Sequence, residues 1–227
     1  MKEFTLDGRL AAAAEYVRQG ALFADIGTDH AYLPTFLLLR GRIERAVAAD
    51  IKPGPLSSAM EHAEKYGVRD RMTFVLSDGL DAVTGCLPDD IAVCGMGGEL
   101  IADIVTRSDL TRRGGVHLIL QPMTRQAYLR RALASAGYPV LSENYSLAAG
   151  HAYVTLLCTY TGVPYETDDI TSELGAGFFS GDMTPAKRHF LFRRLAALRD
   201  AAEGRERAGE YGSYERKIYD KISSMHI

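Results

Sequence analysis

The stretch LFADIGTDHAYLP, Leu22 to Pro34, constrains this chain more than any other. An apolar strand ends in Asp25, passes through the small-residue turn Gly27-Thr28-Asp29 and opens a helix. That is how a doubly wound α/β domain begins, with its ligand seated where the first strand hands over to the first helix. The dinucleotide fingerprint G-x-G-x-x-G is absent. Asp29 stands where a glycine would let backbone amides approach a pyrophosphate. An acid in the turn repels phosphate and suits a cationic, amine-bearing ligand. S-adenosylmethionine, with its sulfonium and α-amino group, is such a ligand. The turn therefore points to a methyltransferase and away from a nicotinamide-dependent oxidoreductase.

The alternation of strand and helix continues. Periodicity predicts a helix over 6–17 with Asp7 as its N-cap, a strand over 21–26 and a helix over 33–40. A strand over 46–51 and a helix over 56–66, closed by Gly67, come next. A third strand over 72–76 runs into Ser77-Asp78-Gly79 and a short helix. The fourth, IAVC at 91–94, leads into Gly95-Met96-Gly97-Gly98 and a helix over 99–106. Then follow a strand over 117–120, Gln121-Pro122, a helix over 125–136, and two strands, 140–145 and 152–160, expected as an antiparallel hairpin. Buried strands alternating with helices predict a mostly parallel sheet covered on both faces.

After Thr161 the composition changes. A polar connector runs to Asp182, with Phe178-Phe179 needing somewhere to dock, and helices are expected over 185–203 and 211–225. Gly204 and Gly209 between them favour an antiparallel helical hairpin. The expected division is an α/β domain over 1–160 and a connector plus hairpin over 161–227.

The remaining chemistry is that of an ordinary soluble protein, with 47% hydrophobic and 24% charged residues, enough apolar material for a core. No apolar run is long enough to span a bilayer, and MKEFTLDGRL lacks the apolar region of a signal peptide. Three scattered cysteines, an odd number, and the lack of Cys/His ligand spacing predict reduced thiols and no metal site. The expectation is a cytoplasmic protein without a membrane or obligate protein partner, and a monomer. A net charge of −3 neither demands nor excludes nucleic acid.

In a doubly wound fold the ligand lies beyond the carboxyl ends of the strands, so those residues are the ones to read. The first strand end offers Asp25, Gly27, Asp29 and His30. The second offers Asp50, an acceptor for both ribose hydroxyls. The third offers Asp78, with Gly79, an acceptor for an adenine amino group. The fourth offers Gly95 and the Met96-Gly97-Gly98 loop, where missing side chains let a planar substrate approach. A lone aspartate after a strand is usually a turn or helix cap. Three in succession followed by glycine make a coherent adenosyl site.

The phrases RLAAAAEYV, ADIGTDHAYLP, SDGL, AVCGMGGELI and LILQP, spanning Leu6 to Tyr160, resemble the bacterial tRNA (adenine-22 N1)-methyltransferase family, class I S-adenosylmethionine-dependent enzymes. The helical hairpin is similar in kind to that family's C-terminal coiled-coil extension. The resemblance implies a Rossmann-like class I methyltransferase fold, S-adenosylmethionine as cofactor and tRNA as partner. It also implies methyl transfer to N1 of an adenine, with Arg9 near the mouth of the active site. Met123 stands where the family usually has Asn, which removes a polar contact to the base from that position.

Adenine N1 carries a lone pair and no proton, so no general base is needed. Asp29, in the turn nearest the methyl donor, is expected to accept from the exocyclic amine and stabilise the cation that develops. His30 is expected in a structural role; for Tyr32 core packing is favoured over the alternative of a base-stacking residue. Gln121 and Pro122 are expected to shape the substrate side. The helix at 185–199 carries Lys187, Arg188, Arg193, Arg194 and Arg199 with no acid before Asp200. Lys187, Arg188 and Arg194 are expected to contact RNA phosphates, against the plainer reading of basic stems lying over an apolar stripe. Arg125, Arg130 and Arg131 form a second basic cluster nearer the site, with Arg125 the substrate contact. A small-molecule methyltransferase and a catalytically silent S-adenosylmethionine- or RNA-binding module are the alternatives.

Overall fold

The computed structural model describes residues 4–83 and 85–225. The start of the N-terminal phrase, Thr84 in the expected short helix, and the last two residues lie outside the described residues. Asp7 caps the first helix, α1 (Gly8–Tyr16), accepting from the Leu10 amide at 2.8 Å. The alternation then runs β1 (Phe23–Ile26), α2 (Tyr32–Leu39), β2 (Ala46–Asp50), α3 (Pro53–Lys65) and β3 (Met72–Leu76). It continues through β4 (Asp90–Gly97), α4 (Gly98–Arg107), β5 (His117–Thr124) and α5 (Gln126–Ser135), then β6 (Val140–Ala148) and β7 (His151–Cys158). Between Asp78 and Val83 the chain makes turns, and the short helix expected there is absent among the described residues.

The strands form one seven-stranded sheet in the order β3-β2-β1-β4-β5-β7-β6. The first five are parallel; β7 pairs antiparallel with both β5 and β6. Alternation of side chains along each strand sorts the core into two layers. Phe23, Ala46, Ala48, Ala92 and Ile119 pack under α1 to α3. Ala24, Ile26, Val47, Ile91, Val93, Leu118 and Leu120 face α4 and α5 on the other side. Both faces are covered, as the near-continuous apolar strands require.

The segment after Cys158 is more integrated than a connector. It contains α6 (Asp169–Leu174) and a 3-10 turn at Ala176–Phe179, and it is stitched down by a buried ion pair. Arg130 donates to Glu143 at 2.7 Å and to the Ser172 carbonyl at 3.0 Å; Glu143 also accepts from the Gly177 amide at 2.9 Å. A Cβ on Gly175 would lie 2.1 Å from the Glu143 carboxylate, so only glycine, here at φ +92°, lets the chain pass this close. Phe178 docks beside Tyr145, whereas Phe179 is half exposed.

The hairpin follows as α7 (Pro185–Arg207) and α8 (Tyr214–Ser223). Phe190 of α7 packs edge-on against Tyr145 at 5.2 Å, and Leu198, Ile218 and Ile222 continue the same core. The division expected at Tyr160 is therefore not a break in the packing. Cutting there would uncover Tyr145, Val154 and Leu156 and remove several buried side chains worth ~2 kcal/mol each.

Candidate active site

The sheet order creates the site. From β1 the chain moves outward to β2 and β3, then returns to place β4 on the other side of β1. Strand ends diverge at such a switch point and leave a crevice. The register aligns Ile26 with Val93, so the turn at Gly27 lies beside Cys94 and Gly95. The Gly27 and Thr28 amides both donate to the Ala49 carbonyl, at 2.8 and 3.0 Å, tying the turn to β2. Gly27, Asp29 and Ala31 all take left-handed backbone angles, with φ of 72°, 48° and 52°. For a non-glycine residue that costs of order 1 kcal/mol each. The result is a cavity of 190 Å³ bounded by Arg9, Asp25, Asp29, Tyr32, Cys94 and Gly95.

The carboxylates differ in how committed they are. Asp25 is buried and accepts from the Thr28 hydroxyl at 2.7 Å. Burial pushes its carboxyl up to about 6; Thr28 and Arg9 oppose the shift and Asp50 adds to it. Asp50 accepts from the Lys52 amide at 2.9 Å through one oxygen. The Asp29 side chain is 71% exposed and, among the described residues, has only His30 as an ion-pair partner, Nε2 to Oδ1 3.7 Å. Asp78 stands apart. Arg107 of α4 donates to it at 3.1 Å and also pairs with Asp81 and Asp103.

The opposite wall is built by an amide that no solvent reaches. Gln121 is fully buried, and its side-chain oxygen accepts from Arg9 Nη1 at 3.0 Å and from the Gly95 amide at 3.1 Å. Its Nε2 donates to the Pro122 carbonyl at 3.1 Å. Pro122, with no N–H for the ladder, pairs with Met96 where β4 is irregular, a position sheets reserve for such residues. Gln121 and Pro122 therefore shape the pocket by positioning its wall from behind.

The glycines also divide. At Gly98 a Cβ would sit 2.5 Å from the Arg125 carbonyl, and at Gly79 3.0 Å from Ile104, so both are small for packing. Packing alone accounts for glycine at both positions, whatever their backbones also touch. At Gly95 a Cβ would meet Arg9 at 3.2 Å, and at Gly27 it would meet the Met96 methyl at 2.1 Å. Met96 lies over the glycine turn and is half-buried. At Gly97 the nearest atom is Thr124 Oγ1 at 3.5 Å, an ordinary contact, so packing does not demand glycine there.

The expected RNA contacts on α7 are mostly consumed within the protein. Lys187 is buried and its ammonium donates to the Ser180 carbonyl. Arg194 donates to buried Glu173 at 2.5 Å. Burial takes Lys187 out of reach of RNA, a correction with a plain cause, since its acceptor lies on the connector; Arg194 is paired there too, but its side chain stays 30% exposed. Arg188 is exposed and donates to the Met183 carbonyl at 3.1 Å. Arg125 is exposed, with φ 57° and a 3.5 Å pair to Glu99. Arg131 reaches Asp169 and the Tyr214 hydroxyl, and Arg130 is the buried partner of Glu143.

Two features escaped the sequence reading. Ile51, directly after Asp50, is 59% exposed, an apolar surface beside that carboxylate. Its signal was available, since an apolar residue continuing past a strand-end acid has no core left to enter. Tyr32 is also not a core residue. It is 39% exposed, lines the cavity, stacks on His30 at 5.1 Å and meets His62 edge-on at 4.8 Å. Burial, with Lys65 and His30 adding, holds His62 below the usual histidine range. No group of three metal-ligating side chains occurs among the described residues, and no helix there is long and apolar enough to cross a membrane.

Comparison with known proteins agrees with this geometry. A family model described as a methyltransferase domain matches residues 6–156. The tRNA (adenine(22)-N(1))-methyltransferase of Bacillus subtilis is 33% identical over 192 residues, covering 85% of this chain and 80% of that protein. A Streptococcus pneumoniae protein proposed to be a tRNA (m1A22) methyltransferase, solved in complex with S-adenosyl-L-methionine, superposes with a TM-score of 0.80 at 30% identity, over 94% of this chain and 97% of that one. The Bacillus subtilis m1A22 tRNA methyltransferase structure gives 0.79 at 27% identity, over 97% and 95%.

Proposed function

The chain belongs to the tRNA (adenine(22)-N1)-methyltransferase family, and from that premise we propose how its own residues carry out S-adenosylmethionine-dependent methylation of adenine N1 in tRNA. The observation that carries the reading is the convergence, at the β1/β4 crevice, of buried Asp25 and exposed Asp29 with Gly27 and Gly95.

The residues fit the cofactor's chemistry. S-adenosylmethionine brings a sulfonium, an α-ammonium and a ribose diol, and when bound it supplies an electrophilic methyl group. Asp25 offers a buried carboxylate with one internal hydrogen bond, suited to a positive neighbour. Asp50 has one oxygen uncommitted among the described residues and a neighbouring apolar surface in Ile51, suited to the ribose and the adenine face. Gly27 and Gly95 keep the floor open. Asp78 contributes at the far end with the oxygen that Arg107 leaves free.

On the substrate side, Asp29 accepts from the exocyclic amine of the target adenine. That orients N1 and stabilises the positive charge formed in the transition state. The left-handed backbone at Asp29 holds the carboxylate out of the turn, where among the described residues only His30 approaches it. Tyr32 and His30 offer ring faces on which an unstacked base can rest. Arg9, anchored on Gln121, closes the opposite side. Holding N1 in line with the donor accounts for most of the remaining rate, and the adenine must leave its stack to get there.

The test is transfer of labelled methyl from S-adenosylmethionine to an unmodified tRNA transcript, with the product nucleoside identified. N1-methyladenosine is the expected product. Label in another nucleoside, or none with cofactor binding intact, would overturn the assignment.

A further inference from the structure

A second concavity adjoins the catalytic rim. It occupies 460 Å³ between the end of β5, the β6–β7 turn and α7, within the range of ligand-binding clefts. Met123, Arg125, His151, Tyr153, Arg193 and Arg194 line it, and no carboxylate does. Three guanidinium groups line the crevice, and the carboxylates paired with two of them, Glu99 and Glu173, are not among its lining residues.

The cations are unequal. Arg194 is held by Glu173. Arg125 has an exposed, loose pair with Glu99 at 3.5 Å. Arg193 is exposed and has no hydrogen-bond or ion-pair partner among the described residues. Arg125 is also kept in a left-handed conformation, φ 57°, where it serves as the cap of α5 without a side-chain cap bond. A chain that keeps an arginine in that unfavourable backbone state and leaves another without an acid, across one crevice, is holding two forked donors for a ligand. Planar, always-charged guanidinium forks are suited to phosphate oxygens. Half-buried Tyr153 adds an aromatic surface, with His151 6.5 Å from it.

Position then selects the ligand. β5 carries Gln121, which sets the wall of the catalytic pocket, and two residues later Met123, which lines the crevice. Along a strand that is roughly 7 Å, about the reach of one nucleotide. An adenine drawn into the pocket must have its neighbour held nearby, or the strand will re-stack.

We infer that this crevice binds a ribonucleotide flanking the methylated adenine, its phosphodiester on Arg125 and Arg193 and its base against Tyr153. The inference rests on the tRNA-methyltransferase reading.

The test measures tRNA affinity across a series of salt concentrations, single-turnover methylation and S-adenosylmethionine affinity for wild type, R125A/R193A, R193K and Y153A. The double variant is expected to bind tRNA roughly 10- to 100-fold more weakly, with the slope of log K against log salt reduced by about 1 to 2. Cofactor affinity, reporting the fold, stays within about twofold, and R193K recovers the slope but only part of the affinity. Y153A is expected to weaken tRNA binding without changing the slope. Unchanged tRNA affinity and slope in R125A/R193A, with wild type active, would overturn the inference and leave the methyltransferase reading standing. Failure of wild type to methylate any tRNA while binding S-adenosylmethionine would overturn that reading, and the crevice assignment with it.

Discussion

At the end of β1 the charged side chains outnumber their internal partners; along α7 the partners take up much of the charge. Among the described residues Asp29 has only a distant histidine, and Asp50 keeps one oxygen uncommitted. Lys187 and Arg194, which look equally available in the sequence, are bound to Ser180 and Glu173. Both regions present polar groups at regular intervals. The difference is that a parallel sheet aligns its strand ends on one rim whatever the loops do, whereas a helix's charges meet whatever the tertiary fold lays beside them. An uncommitted charge at a strand end is evidence of a ligand site. A run of bases on a helix is evidence only once its acceptors are known.

The largest test of that contrast is Asp29→Ala. Methyl transfer should fall by 100-fold or more, about 3 kcal/mol of transition-state stabilisation, while S-adenosylmethionine affinity stays within a few-fold. Full activity in the variant would place Asp29 with the structural residues and erase the contrast on the pocket side.

Glu173→Ala probes the other side. Glu173 is buried and accepts from Arg194 and from the Tyr214 hydroxyl at 3.2 Å, so its loss should destabilise the fold by about 2–4 kcal/mol in denaturant unfolding. If stability is unchanged and tRNA binding falls instead, Arg194 belongs with the ligand-binding arginines.

Asp25→Asn sharpens the comparison because it should do two opposite things. Asp25 in the folded protein titrates at about 6, above its ordinary range, because burial disfavours the charged form. Between the unfolded value near 4 and about 6 the folded state holds the extra proton, so the ligand-free protein loses stability as pH rises through that window. The asparagine variant should lack that dependence and gain of order 1–3 kcal/mol at neutral pH, while binding S-adenosylmethionine more weakly. A thermal melt that falls, or cofactor binding that does not, would mean the buried charge serves the fold.

The smallest effect is expected at Gly97. Alanine there meets only an ordinary contact at 3.5 Å, with φ −67°, so stability should move by less than about 0.5 kcal/mol. Reduced turnover on tRNA would then report an approach by substrate. Unchanged turnover would show that the glycine is not needed by either.

Much of this was legible in advance. The strand-end acids, the antiparallel close and the hairpin follow from periodicity and turn chemistry, which are local. What was not legible depended on distant partners. The acceptor of Lys187 is a backbone carbonyl, which no side-chain pattern marks. Gln121 reads as a polar residue near a pocket, but burial makes it a bracket between Arg9 and Gly95. The break at residue 160 was a change of composition, and composition does not reveal that Arg130 and Glu143 hold the following segment against the sheet. Tyr32 was misread because α2 is apolar almost throughout, so nothing in its sequence separates the inward face from the end that opens on the cavity.

The order in which the sheet closes has a consequence for how the protein is made. β7, the last strand in the chain, is not at an edge: it slots between β5 and β6. During synthesis the five parallel strands can assemble as they emerge, but one side of β5 stays an open template until His151–Cys158 has left the ribosome. Such an edge invites pairing with another chain. The hairpin turn at Ala149-Gly150 shortens that interval, because β6 is already present and delivers its neighbour within a few residues. Slowing formation of that turn should therefore show first as aggregation of the nascent chain, before any loss of activity in the molecules that finish folding.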